Sequence, residues 1–332
     1  MRSGRAGRRG ARILYVAHYC RPREAAWIST TYLIRALRRT GLVNSVVVLT
    51  NDPYASEVAG EGGEGTFNIL VVPFPRALER SRLGKLLRTT LGYVLVLLYG
   101  LRATKRRRVT HIFTQHHNYH LASLTGAVLS VLTGRPCIIK IQDGIPFIGR
   151  GWLERWLNRY LMGALSGLAL RSAAIILSKC RERTILVSEI FGVERSKMVL
   201  VSNLVDLTRF TRVNGAFRDR LIREHGLEGC KLLVFVGATQ GRGLKRLIRA
   251  LPAVIRRVGK VKLLLAGPSR DRAELEELAG SLGVEDALVF LGTVEHELVP
   301  TIISMADLCV GPLKVDWFSL ADIERKVLEY MA

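Results

Sequence analysis

Residues 232–267 read LLVFVGATQGRGLKRLIRALPAVIRRVGKVKLLLAG. The stretch opens on an apolar run that stops at Gly237 and closes on another that stops at Gly267. Between them Leu244, Leu247, Ile248, Leu251, Val254 and Ile255 fall at helical spacing, while Lys245, Arg246 and Arg249 take the opposite side, which marks an amphipathic helix. Two short apolar runs joined by one helix form a βαβ unit, because strands of a parallel sheet are covered on both faces and so carry apolar residues on both. The pattern continues with a helix carrying Leu275, Leu278, Ala279 and Leu282, and with the runs ALVFLG (287–292) and DLCVGP (307–312).

Upstream, the same kind of run recurs as RILYVA (12–17), SVVVLT (45–50), NILVV (68–72), HIFT (111–114), CIIKI (137–141), AAIILS (173–178) and MVLV (198–201). Most are separated by enough chain for a helix, and the polar stretch 212–229 interrupts the alternation before it resumes. The expectation is an α/β chain of two Rossmann-like domains, residues 1–215 and 216–332, facing each other across a cleft. Open parallel sheets bind ligands at the carboxyl ends of their strands, so the cleft is where a ligand is expected.

The chain carries 50 Lys and Arg against 28 Asp and Glu, a net charge of +22. Through residue 215 the counts are 33 against 12, and beyond it 17 against 16, so the excess basicity belongs to the first half. Nucleic acid, anionic lipid and phosphorylated substrates are all attracted by such a surface, and charge alone does not choose among them. The five cysteines lie far apart with no C-x-x-C pair, which argues against a disulfide framework and a zinc site and favours a reducing cytoplasm. The opening residues lack the long apolar run of a signal peptide. Leu91 to Leu101 is the most membrane-like stretch, but it is about half the roughly 20 residues that a spanning helix needs. With the KRRR that follows at 105–108, it reads either as a helix lying in an anionic bilayer surface or as a core helix beside a solvated basic loop.

Several positions carry candidate chemistry. Gly237 ends a strand and Gly241 and Gly243 precede a helix, so free N–H groups and the positive end of the helix can face a diphosphate, with Arg242 adding a fixed charge. The alternative is a solvated arginine in an ordinary glycine turn. His116 and His120 stand four apart, which suits two metal ligands only on a helix and only with further ligands. No third ligand follows from spacing and no D-x-D occurs, so no metal is expected.

The series FVGATQGRGLKRLIRAL, LLLAGPSRDRAELEELAGSLG, LVFLGTVEHELVPTIISMADLCVGP and KVLEYMA, in that order, resembles the donor domain of family-four GT-B glycosyltransferases. The stretch ending LVSNLVDLTRF, with Asn203 and Asp206 three apart, is similar to that family's interdomain segment. The resemblance is good from Ala173 to Ala332 and looser before. It implies a nucleotide-sugar donor held by Gly237, Gly241, Arg242, Gly243, Lys245, Lys326 and Glu329, the last accepting hydrogen bonds from ribose hydroxyls. Ala238 stands where the family usually has an arginine, and Ala321, beside Asp322 and Ser319, where its pattern has the first glutamate. HIFTQHHNYH and CIIKIQDG resemble the two strands that end in histidines, placing His116, Gln142 and Asp143 at the catalytic end, although Asp143 before Gly144 is also a routine turn.

The function so implied is retaining transfer of a sugar to a lipid-linked or polysaccharide acceptor, without a metal or other cofactor. The expected location is cytoplasmic, at the inner face of the membrane, with no nucleic-acid partner. A same-fold sugar-nucleotide epimerase and an inactive GT-B scaffold are the rival readings. In the resembling family further βα elements follow KVLEYMA, so the second domain is expected to be incomplete here and Ala332 not to be a natural terminus.

Overall fold

The computed structural model describes residues 10–17, 25–52, 55, 68–73, 82–116, 121–142, 158–312 and 324–332. The chain divides into two compact units, Met1–Ser202 and Asn203–Ala332.

In chain order the first unit holds β1 (Ala11–Val16), α1 (Ala25–Arg39), β2 (Val43–Thr50), β3 (Asn68–Val71), α2 (Arg82–Arg106), β4 (His111–His116), α3 (Ala122–Thr133) and β5 (Cys137–Ile141). A π turn at Asn158–Met162 then leads into α4 (Gly163–Ser172), followed by β6 (Ile175–Ser178), α5 (Arg181–Phe191) and β7 (Met198–Leu200). The seven strands form one sheet in the order β3-β2-β1-β4-β5-β6-β7, every pair parallel. Each of the seven apolar runs is one of these strands. The order reverses between β1 and β4, which is the switch point of a doubly wound sheet.

One face of the sheet packs Leu14, Leu49, Ile112, Cys137, Ile139 and Ile141 against Val96 of α2, Leu129 of α3 and Leu170 of α4. On the other face Tyr15 stacks on Trp27 of α1 at 6.0 Å and meets the edge of Phe113 at 5.3 Å. Alternation along β5 therefore sends Lys140 away from its isoleucine neighbours, to α1. Cys137 is fully buried, and burial pushes its thiol up to about 12. The long α2 has a core face and an exposed one: Tyr93, Val96 and Ala103 enter the core while Leu91, Val94 and Leu98 are exposed.

The second unit holds α6 (Leu207–Phe210), α7 (Gly215–His225), β8 (Lys231–Val236), α8 (Leu244–Val258), β9 (Val261–Ala266), α9 (Arg272–Ser281), β10 (Leu288–Gly292), α10 (Val299–Ser304), β11 (Leu308–Cys309) and α11 (Arg325–Met331). Its sheet runs β10-β9-β8-β11, again all parallel, with the switch between β8 and β11. Leu244, Ile248 and Leu251 of the expected stripe are buried against Phe235, Leu263 and Leu265. The division between the units falls ahead of residue 215 because the segment before it belongs to the second unit. Asp206 caps α6 by accepting from Thr208 N at 3.2 Å, Arg209 pairs with Glu297 at 3.0 Å, and Asn214 N donates to Thr301 Oγ1 at 2.8 Å.

Strands β8, β9 and β10 each run into a glycine of positive φ: Gly237 (129°), Gly267 (145°) and Gly292 (67°). Gly237 N donates to Ala266 O at 2.8 Å and Gly267 N to Gly292 O at 2.7 Å, so the strand ends are stitched just where the chain leaves the sheet. A Cβ on Gly267 would stand 2.2 Å from Gly237 O. Gly267→Ala is therefore expected to destabilise the chain by at least about 3 kcal/mol, from strained backbone plus a backbone clash. Urea unfolding checks this, and a loss below about 1 kcal/mol would mean that the approach relaxes freely.

Candidate functional site

The carboxyl edge of the second sheet gathers most of the expected donor-binding residues. From Gly237 the chain turns through residues 238–243 and enters α8, whose N-cap is Gly243. The turn is pinned on both sides: Thr239 N donates to Pro268 O at 3.1 Å, the Thr239 hydroxyl bonds to Asp271, and Gly243 N donates to Pro312 O at 3.0 Å beyond β11. No side chain caps α8. The first-turn N–H groups of such a helix, with its dipole, are ready for an anion.

Two cations stand beside this turn. Arg242 Nη1 bonds to Glu324 Oε1, and Lys326 Nζ lies 3.0 Å from Glu324 Oε2, so one carboxylate holds both. Lys326 Nζ also sits 4.2 Å above the ring centre of Phe235, and a Cβ on Gly237 would be 3.9 Å from it. Burial pulls the Lys326 ammonium below the usual lysine value, with Glu324 pulling the other way. A cation partly stripped of water is primed to gain from a bound anion.

The short α11 that carries Lys326 is anchored by Tyr330. Its hydroxyl accepts from Val236 N at 2.9 Å and donates to Val310 O at 3.4 Å, filling the place where β8 and β11 part. Glu329 is buried, 2.9 Å from Arg325 Nε and 3.7 Å from His296 Nε2. Burial alone raises its pKa, but the His296 contact and the Arg325 charge outweigh that and leave it below the ordinary value. Lys245 points away to α9, where it pairs with Glu274 at 2.6 Å. The structure thus brings Gly237, Arg242, Gly243 and Lys326 together, sets Glu329 one turn along α11, and leaves Lys245 on the neighbouring helix face. Glu324 and Tyr330 carry this arrangement and were not singled out in the sequence. Ser319, Ala321 and Asp322 lie outside the described residues.

In the first unit His116 ends β4. Its ring is buried, with Nδ1 3.1 Å from Ser123 Oγ and its edge toward Phe191 at 6.2 Å. Because it stands on a strand, the helical pairing with His120 does not apply, and His120 and Asp143 lie outside the described residues. Gln142 follows β5, its N–H donating to His116 O at 3.1 Å. Its side chain is 5% exposed, yet Oε1 has no hydrogen-bond partner among the described residues. Such an orphan acceptor at a sheet's carboxyl edge invites a ligand hydroxyl. Nearby Lys140, 2% exposed, donates to Ser29 Oγ at 2.6 Å. A lysine inside an apolar run was the signal for it.

A family model described as "Glycosyl transferase 4-like domain" matches residues 25–203, and one described as "Glycosyl transferases group 1" matches residues 230–332. The chain belongs to the group 1 glycosyltransferases. Among curated relatives, it is 28% identical over 110 residues to alpha-D-kanosaminyltransferase of Streptomyces kanamyceticus, covering 33% of this chain and 28% of that one. It is 25% identical over 285 residues to the same organism's 2-deoxystreptamine glucosyltransferase, covering 84% of this chain and 72% of that one. The chain thus spans under a third of the first relative's length. Among solved structures, Anabaena HepE in complex with UDP superposes with a TM-score of 0.69 over 96% of this chain and 78% of that one at 16% identity, a likeness of fold.

Glu329→Gln is expected to cost this chain roughly 3 kcal/mol near neutral pH, since it leaves Arg325 facing an amide in a buried place. The folded-state pKa of Glu329 lies below the ordinary 4.5, so its stabilisation is complete above 4.5 and is lost as pH falls through the folded value. Wild type and variant should converge in acid, as denaturant titrations at several pH values will report. A difference that stays constant into acid would contradict the ion-paired carboxylate.

Proposed function

We propose that the chain transfers a glycosyl group, with retention, from a nucleoside-diphosphate sugar to a lipid-linked or polysaccharide acceptor. The observation that carries this is the pair of cations, Arg242 and Lys326, held by Glu324 beside the glycine turn and the uncapped start of α8. Two fixed positive charges and free N–H groups suit a diphosphate, and they are worth most as the leaving group gains charge in the transition state. HepE is known in complex with UDP and with UDP-glucose, which is consistent with a donor of this class.

In this scheme the glycosidic C–O bond to the diphosphate breaks as the acceptor oxygen approaches from the same face of the sugar, and the departing phosphate oxygen takes the acceptor proton. Arg242, Lys326 and the α8 N–H groups stabilise the phosphate. Glu329 accepts from ribose hydroxyls with the lone pairs that Arg325 and His296 leave, a carboxylate having about four. Gln142 Oε1 receives a hydroxyl of sugar or acceptor, and Asp143 is assigned beside it by resemblance. Lys245 is a lesser contributor, since Glu274 already occupies it. The scheme uses no metal, the two cations doing its electrostatic work. The basic first half and the bare stripe of α2 support action at an anionic membrane surface, on its cytoplasmic side.

The test is ligand-induced thermal stabilisation and turnover with UDP, GDP and ADP sugars. One nucleotide class should raise the melting temperature by mass action. Arg242→Ala and Lys326→Met should weaken the diphosphate by roughly tenfold or more each, at about 1.5–3 kcal/mol per charged hydrogen bond, and the nucleoside far less. Diphosphate affinity should fall as pH rises through the lowered Lys326 pKa, below the ordinary 10.5, where the ammonium is lost. Equal loss of nucleoside and diphosphate binding, or donor turnover without any acceptor, would overturn the proposal.

A further inference from the structure

At the amino edge of the first sheet, opposite His116 and Gln142, Arg12, Lys105, Arg108 and Arg135 line a pocket of about 500 Å³. No carboxylate lines it, and none of the four has a carboxylate partner among the described residues. Four like charges around one hollow repel one another, so an anion there would relieve the unit as well as bind to it.

The pocket is built rather than a chance gathering of long side chains. Arg12 Nε donates to Arg108 O at 2.6 Å, and Thr110 Oγ1 accepts from Arg12 N at 2.8 Å and donates to Arg12 O at 3.1 Å. These bonds fix Arg12 at its Nε and leave the fork of terminal nitrogens. Arg108 has φ 50°, a left-handed backbone that no other described non-glycine residue adopts. Thr104, 7% exposed, lines the same hollow, and its hydroxyl has no hydrogen-bond partner among the described residues.

Apolar surface runs up to the pocket from two sides. Leu91, Val94 and Leu98 form an exposed stripe along α2, at 51%, 53% and 55%, ending one turn before Leu101 and two before Lys105 of the pocket wall. Val131 and Leu132, at 75% and 58%, close α3 just ahead of Thr133 and Arg135. Scattered exposed leucines are ordinary, and so are solvated arginines. A stripe of one leading into a pocket of the other matches the layering of a bilayer surface, apolar below and phosphate above. A free phosphate would have no use for the stripe.

We propose that the pocket seats the phosphate of an anionic membrane lipid, with the α2 stripe and the end of α3 in the acyl boundary. The proposal rests on the membrane part of the function above and gives it a site. Arginine forks pair with phosphate oxygens two at a time, and Lys105 adds a point charge.

The test is flotation of the full chain with phosphatidylcholine vesicles, pure or mixed with phosphatidylglycerol. Wild type should float with the mixed vesicles only, and less as salt rises. Lys105→Gln with Arg135→Gln should weaken this by roughly 30-fold, the effect of two basic residues near an anionic surface. Arg256→Gln with Arg257→Gln on α8, the same charge loss on exposed positions, should leave it nearly unchanged. Leu98→Ser with Val131→Ser should weaken it while keeping the salt dependence. Unchanged stabilisation by the nucleotide establishes that each variant is folded. Equal losses in the pocket and α8 pairs, or none in either, would overturn the pocket while leaving membrane binding in place. Wild type that floats with no vesicle would overturn the membrane reading itself. If glycerol phosphate in solution stabilises wild type but not the pocket pair while vesicles bind both alike, the site takes free phosphate and the lipid proposal fails.

Discussion

The hydroxyl of Tyr330 is the fastener on which the second unit's site depends. Where β8 and β11 part, Val236 N has lost its strand partner, and Tyr330 supplies the acceptor at 2.9 Å. A helix of seven residues such as α11 is marginal in water by itself. With its tyrosine locked between two strand ends, it can hold Lys326 over Phe235 and keep Glu329 buried beside Arg325. Burial of Tyr330 raises its pKa, so the hydroxyl keeps the proton it donates to Val310 O.

A second constraint is that each sheet is parallel throughout, which collects its carboxyl ends on one edge of that sheet. In the second unit that edge is dressed with glycines of positive φ, and at Gly267 the Gly237 carbonyl approaches too closely for a Cβ. Close backbone approach leaves room for cations and N–H groups to converge on a ligand. In the first unit the same edge carries buried polar side chains instead, His116, Gln142 and Lys140 among them.

The strands were legible because each is a short apolar run with no competing period, and α8 because its stripe is regular. Gly237, Gly243 and Arg242 were legible through local turn chemistry. Glu324 and Tyr330 were not, since Arg242 and Val236, which they bond, are 82 and 94 residues away and no local pattern encodes such contacts. For a related reason the place of Lys245 beside the turn says nothing of Glu274, which arrives from the next helix. The boundary at residue 215 followed composition, whereas the chain follows contacts, with Asn214 and Arg209 already bonded into the second unit. The basicity of the first half was read correctly as charge, but the pocket came from bringing Arg12 of β1 to Arg108 and Arg135.

The most direct test of the account is a crystal structure of the full chain with the nucleoside diphosphate that stabilises it most. The diphosphate is expected at the start of α8, within hydrogen-bond reach of Arg242 and Lys326, with Glu324 giving up part of its hold on each and Tyr330 unmoved between β8 and β11. A diphosphate bound elsewhere on the second unit, with the Arg242, Glu324 and Lys326 cluster intact and untouched, would contradict it.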